Sequence, residues 1–205
     1  MPRLVRLLVL LVGTLGLPFS AAAQDEPADV IERVDAALLE AMKNADRLGF
    51  QGRYELLAPV LTKAFDFPLM ARIAAGRHWK DLDEAQRGKL VDAFTRMSIA
   101  TFAARFDGYS GESFEVLGKE PGARRGTMLV RTNLVRPNDP PVGLNYLLHD
   151  AGGTWRAVDV YLDAKYSELA VKRSEYTSVI EREGFDTLLG RIEDTIAKLK
   201  QGAET

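Results

Sequence analysis

The chain has 205 residues, a formal net charge of −2 and no cysteine. The lack of cysteine excludes a disulfide scaffold, thiol catalysis and thiolate metal sites, and two histidines leave little for a zinc or iron centre. The slightly acidic balance argues against a nucleic-acid-binding protein and against adhesion to an anionic membrane surface.

The N-terminus has the pattern of a cleavable signal peptide. Arg3 and Arg6 precede an apolar run over residues 7–17, and small residues follow up to Ala23. The apolar run is too short to span a bilayer, which favours a signal peptide over residues 1–23 rather than a membrane anchor. Without the two arginines of this segment the formal charge becomes −4.

Residues 24–205 are long enough for one domain with its own hydrophobic core. Apolar residues that recur at spacings of three and four predict an amphipathic helix over residues 29–48, with Gly49 at its C-terminal end. A second helix is predicted over residues 54–64, although Pro59 lies near its middle.

An apolar stretch, Phe65–Trp79, follows. Pro68 starts a short helix there and Gly76 ends it, with aromatic residues on both sides. Asp83 and the glutamine three residues later form a capping-box pattern that starts the longest predicted helix, Glu84–Phe106. The apolar side chains of this helix cover more than one stripe, so we expect it to be covered on more than one side.

The hydrophobic period then changes from three or four to two, which predicts strands over residues 113–120, 127–136, 141–150 and 154–163. Short turns between them predict an antiparallel meander. Two helices, residues 167–182 and 186–200, end the chain. The fold class is therefore α+β: N-terminal helices, a four- to five-stranded antiparallel sheet and C-terminal helices around an apolar pocket.

No catalytic or metal-binding motif is present, so we assign no catalytic and no metal-binding residue. Asp66, His78 and Asp159 are the available acid or base candidates, but no nucleophile is spaced to meet them. Asp159 is expected mid-strand, on the face of Trp155 and opposite Val158. A structural ion pair with a cation such as Arg173 is favoured there over a catalytic acid.

The apolar surface of the long helix and the strands has two interpretations. Met-rich and aromatic linings suit a pocket for flexible chains, whereas apolar stripes at helical spacing more often form a packed core. From pattern alone the packed core is favoured, and the pocket stays open as an alternative.

Several runs together resemble one known family, the MlaC-type proteins, also called toluene-tolerance auxiliary proteins. The resemblance covers nearly all of residues 24–205 in order, and no single motif in it is specific. The runs are Phe65-Asp66-Phe67, Met70-Ala71-Arg72, Gly76-Arg77, Trp79, Gln86, Phe94, Tyr109-Ser110-Gly111, Trp155-Arg156-Ala157-Val158-Asp159-Val160, Arg173-Ser174, Gly184-Phe185-Asp186 and Leu188-Leu189.

The resemblance implies a periplasmic lipid carrier that is not an enzyme and needs no cofactor. Such proteins move phospholipids between an outer-membrane lipoprotein complex and the lipid-binding component of an inner-membrane ABC transporter. We accordingly expect lipid contacts from aromatic and aliphatic side chains of the predicted pocket: Phe65, Phe67, Met70, Ile73, Trp79, Phe94, Met97, Phe102, Val130, Leu134, Leu144, Tyr146, Val158, Val160 and Leu162.

One segment departs from the phospholipid-carrier pattern. Tyr166 is an extra residue there, and Lys172 stands where a tyrosine is usual, which is similar to the hopanoid-biosynthesis-associated branch of the family. The ligand is therefore a phospholipid or a hopanoid-type lipid. Two other functions stay open: an enzyme or accessory factor acting on a lipid or polyprenyl intermediate in hopanoid metabolism, and an interaction module that binds no lipid.

Overall fold

The computed structural model describes residues 25–163 and 166–203, so the predicted signal peptide lies outside the described residues. Helices flank an antiparallel sheet in the sequence. The elements are α1 (Pro27–Lys43), α2 (Ala45–Ala64), α3 (Phe67–Ala75), α4 (Glu84–Arg105), β1 (Ser113–Pro121), β2 (Thr127–Arg136), β3 (Asp139–Asp150), β4 (Trp155–Leu162), β5 (Tyr166–Ser167), α5 (Glu168–Glu183) and α6 (Phe185–Gly202).

The first predicted helix is wrong at its C-terminal end. α1 stops at Asn44, whose side-chain amide donates to the carbonyl of Glu40, and α2 begins with the next residue. Gly49 interrupts α2 at a kink, with a non-helical φ of 57° and ψ of −174° that glycine adopts without steric cost, so it does end the short helical segment before it, as predicted. Pro59 is tolerated inside α2, where it is exposed to solvent.

Side-chain caps fix where α3 and α4 begin. The Asp66 carboxylate accepts a hydrogen bond from the backbone N–H of Leu69 at 3.1 Å. At α4 the predicted capping box is confirmed: Asp83 accepts from the Gln86 N–H at 2.8 Å, and the Gln86 side chain accepts from the Asp83 N–H at 3.0 Å. Each cap satisfies donors that the first turn of a helix leaves free.

The sheet follows chain order, β1-β2-β3-β4-β5, and its four pairings are antiparallel. The α+β class and the antiparallel meander are thus confirmed. One detail differs: β4 carries a β-bulge, because Leu147 pairs with Asp159 while Leu148 pairs with Ala157. Val158 is the extra residue of this bulge, so Ala157 shares a sheet face with Val160 although the two lie three positions apart.

The helices cover one face of the sheet, with α1 against β1, β2 and β4, and α4 between α2, α3 and α6. The end of α2 is tied to β4 by backbone and side chain. The Asp66 N–H donates to the Ala157 carbonyl at 2.9 Å, and the Arg156 guanidinium donates to the carbonyls of Thr62 and Phe65 at 2.8 and 2.5 Å.

Within the described residues, no helix is long and apolar enough to cross a bilayer.

Candidate functional site

A partly enclosed cavity of ≈ 410 Å³ lies between the sheet and the helices α3, α4 and α5. Its volume falls within the range of about 300–1,000 Å³ typical of ligand pockets in proteins. The lining is mainly aromatic and aliphatic. An apolar space of this size differs from a packed interior, where voids larger than a water molecule are few.

One wall of the cavity is an aromatic cluster held by α3, α4 and β3. The rings of Phe65 and Phe67 stack with centroids 5.5 Å apart, and Phe94 meets the edge of Phe67 at 6.4 Å. Tyr146 contacts Phe65 from the sheet side at 6.2 Å. Because Asp66 and Arg156 fix the chain between α2 and α3, the aromatic residues on either side of Asp66 are held rigidly at the cavity.

Most of the residues expected to contact lipid are brought together at this cavity. They come from the segment before α3, from α3 and α4, and from three adjacent strands: Phe65, Phe67, Met70, Phe94, Met97, Phe102, Leu134, Leu144, Tyr146, Val160 and Leu162.

The other expected residues lie outside the cavity lining. Val130 is fully buried and Val158 nearly so, and both belong to the hydrophobic core rather than to the cavity lining. Trp79 lies beside the Arg87 guanidinium, 5.5 Å from its ring centroid, in a separate shallow groove. Ile73 is half-buried on α3 against the hydrophobic core.

The sequence reasoning missed the polar part of the lining. α4 contributes Ser98, Thr101 and Arg105, and α5 contributes Glu168 and Lys172. The spacing was a signal, three and four residues on α4 and four residues on α5, since it places these polar side chains on a single face of each helix. Phe106, Val142 and Leu169 complete the lining.

A buried polar pair lies beside the aromatic wall. Asp35 of α1 is 5 % exposed and Tyr146 is fully buried. Within the described residues, neither the Asp35 carboxylate oxygens nor the Tyr146 hydroxyl has a hydrogen-bond partner. Burial, and secondarily the charge of Glu32, raises the pKa of Asp35 to about 7. Burial and the charge of Asp35 raise the pKa of Tyr146.

The three acid or base candidates are held in separate places, none of them in the cavity lining. Asp66 pairs with His149 at 2.9 Å in addition to capping α3. His78 lies 3.3 Å from Glu181 on α5. The Asp66–His149 contact joins the start of α3 to β3, and the His78–Glu181 contact joins the segment after α3 to α5. These contacts give the three side chains Asp66, His149 and His78 a structural role.

Asp159 does not pair with Arg173, so that predicted ion pair is wrong. Its carboxylate accepts hydrogen bonds from the Ser167 hydroxyl at 2.5 Å and from the Leu169 N–H at 3.0 Å, at the start of α5. Burial raises the pKa of Asp159, while these hydrogen bonds lower it. Asp159 therefore anchors α5 to β4.

The described residues contain no group of three or more His, Asp or Glu side chains that could hold a metal ion. The arrangement at the cavity is chemically suited to holding apolar chains, and its charged lining residues come from α4 and α5.

Comparison with known proteins supports the fold. The family model "MlaC protein" matches residues 32–194. Among solved structures, the chain is similar to the phospholipid-binding protein from Ralstonia solanacearum, determined in complex with a phospholipid at 1.53 Å. The two share 20 % sequence identity with a TM-score of 0.72, over 87 % of this chain and 99 % of that chain. No curated protein matches the sequence.

Proposed function

The chain belongs to the MlaC family, and on that premise we propose that it is a lipid-binding carrier that holds its lipid in the cavity between α3, α4, α5 and the sheet. The observation that carries the proposal is the cavity itself: an apolar, partly enclosed space with aromatic walls. Its lining would replace the water-excluding environment of a bilayer around acyl chains.

The ligand is a phospholipid or a hopanoid-type lipid. Exposing acyl chains to water costs about 0.8 kcal/mol for each CH₂ group, so a carrier must bury most of the chain to take it across an aqueous space. The phospholipid-bound neighbour from Ralstonia solanacearum supports the phospholipid. The Lys172 segment is the reason to keep a hopanoid-type lipid as the second ligand.

The carrier works in the periplasm and shuttles its lipid between the inner and outer membranes. Its partners are the lipid-binding component of an inner-membrane ABC transporter and an outer-membrane lipoprotein complex. This part of the proposal rests on family membership and on the signal-peptide pattern of residues 1–23.

The carrier has no catalytic activity of its own. Asp66 and Asp159 each cap or anchor a helix, and His78 contacts Glu181 away from the cavity. These contacts account for the three residues as structural groups, so none of them motivates a second, enzymatic function.

The proposal is tested by lipid identification. Residues 24–205 are purified, extracted with organic solvent and analysed by mass spectrometry, and the stripped protein is then offered phospholipid or hopanoid vesicles. We expect co-purified lipid and renewed uptake from vesicles. A protein that carries no lipid and takes up none would refute the carrier function.

A pair of tryptophan substitutions tests where the lipid sits. Leu144 lines the cavity, whereas Val130 lies on the adjacent strand and is fully buried outside it. Leu144→Trp should fill the cavity and abolish lipid uptake with little loss of stability. Val130→Trp should instead destabilise the fold by about 1–3 kcal/mol, as overpacking does. Normal uptake by a folded Leu144→Trp variant would place the lipid elsewhere.

A further inference from the structure

The polar groups of the cavity lining come from two helices that approach each other at one end. The Tyr176 hydroxyl of α5 lies 3.6 Å from the Met97 sulfur of α4, and the Tyr176 ring meets the edge of Phe94 with centroids 6.2 Å apart. Met97 lines the cavity, so this contact closes the space between the helices at that end.

From that contact, polar residues follow at intervals of four on both helices. Along α4 they are Thr101 and Arg105, and backwards along α5 they are Lys172 and Glu168. Residues four apart share a helix face, which explains why these side chains all line the cavity. We therefore infer that the cavity is apolar near Met97 and Tyr176 and is lined by charged side chains at its other end.

Two of the charged side chains at this end have no partner among the residues that the structure describes. Among the described residues, neither the Arg105 guanidinium nor the Glu168 carboxylate has a hydrogen-bond or ion-pair partner, although both side chains line the same cavity. Lys172 differs, because its ammonium pairs with Glu175 at 3.0 Å and lies 6.0 Å from the Tyr176 ring centroid. One cation and one anion are therefore available to a ligand.

We propose that Arg105 and Glu168 bind the two charges of a zwitterionic lipid headgroup, a phosphodiester and a primary ammonium. This inference rests on the proposed function and adds the headgroup class. A phosphodiester only accepts hydrogen bonds, and a guanidinium presents paired donors that match its oxygens. A primary ammonium donates hydrogen bonds to the Glu168 carboxylate, whereas a quaternary ammonium cannot.

The same two residues have favourable positions for their own helices. Arg105 lies in the last turn of α4 and Glu168 in the first turn of α5, where their charges complement the helix dipoles. A role confined to helix stability predicts a change in unfolding on substitution and no change in which headgroup is bound. Headgroup selection is therefore the readout that separates the two roles.

The experiment offers stripped protein to vesicles with equal amounts of phosphatidylethanolamine, phosphatidylcholine and phosphatidylglycerol of identical acyl chains. The bound lipid is extracted and quantified by mass spectrometry. We expect about two- to fivefold more phosphatidylethanolamine than phosphatidylcholine in the extract, as suits a partly exposed ion pair. Glu168→Gln should remove the enrichment, and Arg105→Gln should lower the uptake of all three phospholipids.

Matched controls carry the same charge changes away from the cavity. Arg72→Gln on α3 and Glu115→Gln on β1 alter exposed residues outside the lining and should leave uptake and enrichment unchanged. Uptake of the three lipids in their vesicle ratio, or an enrichment that survives Glu168→Gln, would overturn the headgroup proposal while leaving the carrier function intact. Uptake of no lipid by any form would refute the carrier function itself.

Discussion

Asp35 offers the sharpest test of the packing around the cavity. Its carboxylate is buried in the apolar stripe of α1, between Ile31 and Leu38, without a hydrogen-bond partner among the described residues. Asp35→Asn keeps the shape of the side chain and removes its charge. The variant should be more stable than the parent wherever the parent carboxylate is ionised.

The size of the effect follows from the pKa. Burial raises the pKa of Asp35 from 3.8 to about 7, so the folded state binds more protons than the unfolded state between these values. The contribution of Asp35 to the free energy of unfolding is therefore most favourable below pH 3.8. It is lost as the pH rises towards 7. At 1.36 kcal/mol for each pH unit, the total loss reaches about 4 kcal/mol by pH 8.

Urea unfolding at several pH values measures this loss directly. Between pH 4.5 and pH 8 the parent should lose most of that free energy relative to Asp35→Asn, with similar slopes against urea concentration. Asp29→Asn is the control, because Asp29 lies exposed on the same helix and its replacement should change stability by less than about 1 kcal/mol. Equal pH dependence of parent and Asp35→Asn would show that the carboxylate is solvated or paired.

Three further substitutions test whether the carboxylates of Asp66, Asp83 and Asp159 stabilise the helices that they cap or anchor. Asp66→Ala removes the cap of α3 and the partner of His149, and should lower the free energy of unfolding by about 1–2 kcal/mol in urea titrations. Asp83→Ala should cost about 0.5–2 kcal/mol by the same measurement and leave vesicle lipid uptake unchanged, since the α4 cap lies outside the cavity lining. Asp159→Ala leaves the Ser167 hydroxyl and the Leu169 N–H without their acceptor, so thermal unfolding should show a loss of about 1–3 kcal/mol. Wild-type stability in any of these variants would contradict the anchoring role of that carboxylate.

Local chemistry made much of the fold predictable. The capping box at Asp83 fixes the start of α4 because its two hydrogen bonds form within four residues. In β2 and β3, apolar residues alternate with a period of two, which indicates which side chains face the helices. The break at Asn44 was not visible in the same way. The apolar spacing continues through Asn44, and only the backbone turn interrupts the helix.

The bulge in β4 and the charged end of the cavity needed the tertiary structure. Ala157, Val158 and Val160 are all apolar, so alternation alone cannot show that one of them is an extra residue in the pairing. Arg105 and Glu168 belong to helices separated by the whole sheet in sequence. Their shared position depends on how α4 and α5 pack, which no local pattern contains.

The chain-order pairing of the sheet also has a consequence for folding. β1 to β4 can assemble as successive hairpins, since each strand pairs with its neighbour across a short loop and little chain entropy is lost at each step. The bridge between Phe65 and Ala157 joins distant parts of the chain, so its formation costs more entropy and should come later. We therefore expect the strands to pair before the aromatic wall is in place, so that the space for a ligand is one of the last features of the native state to form.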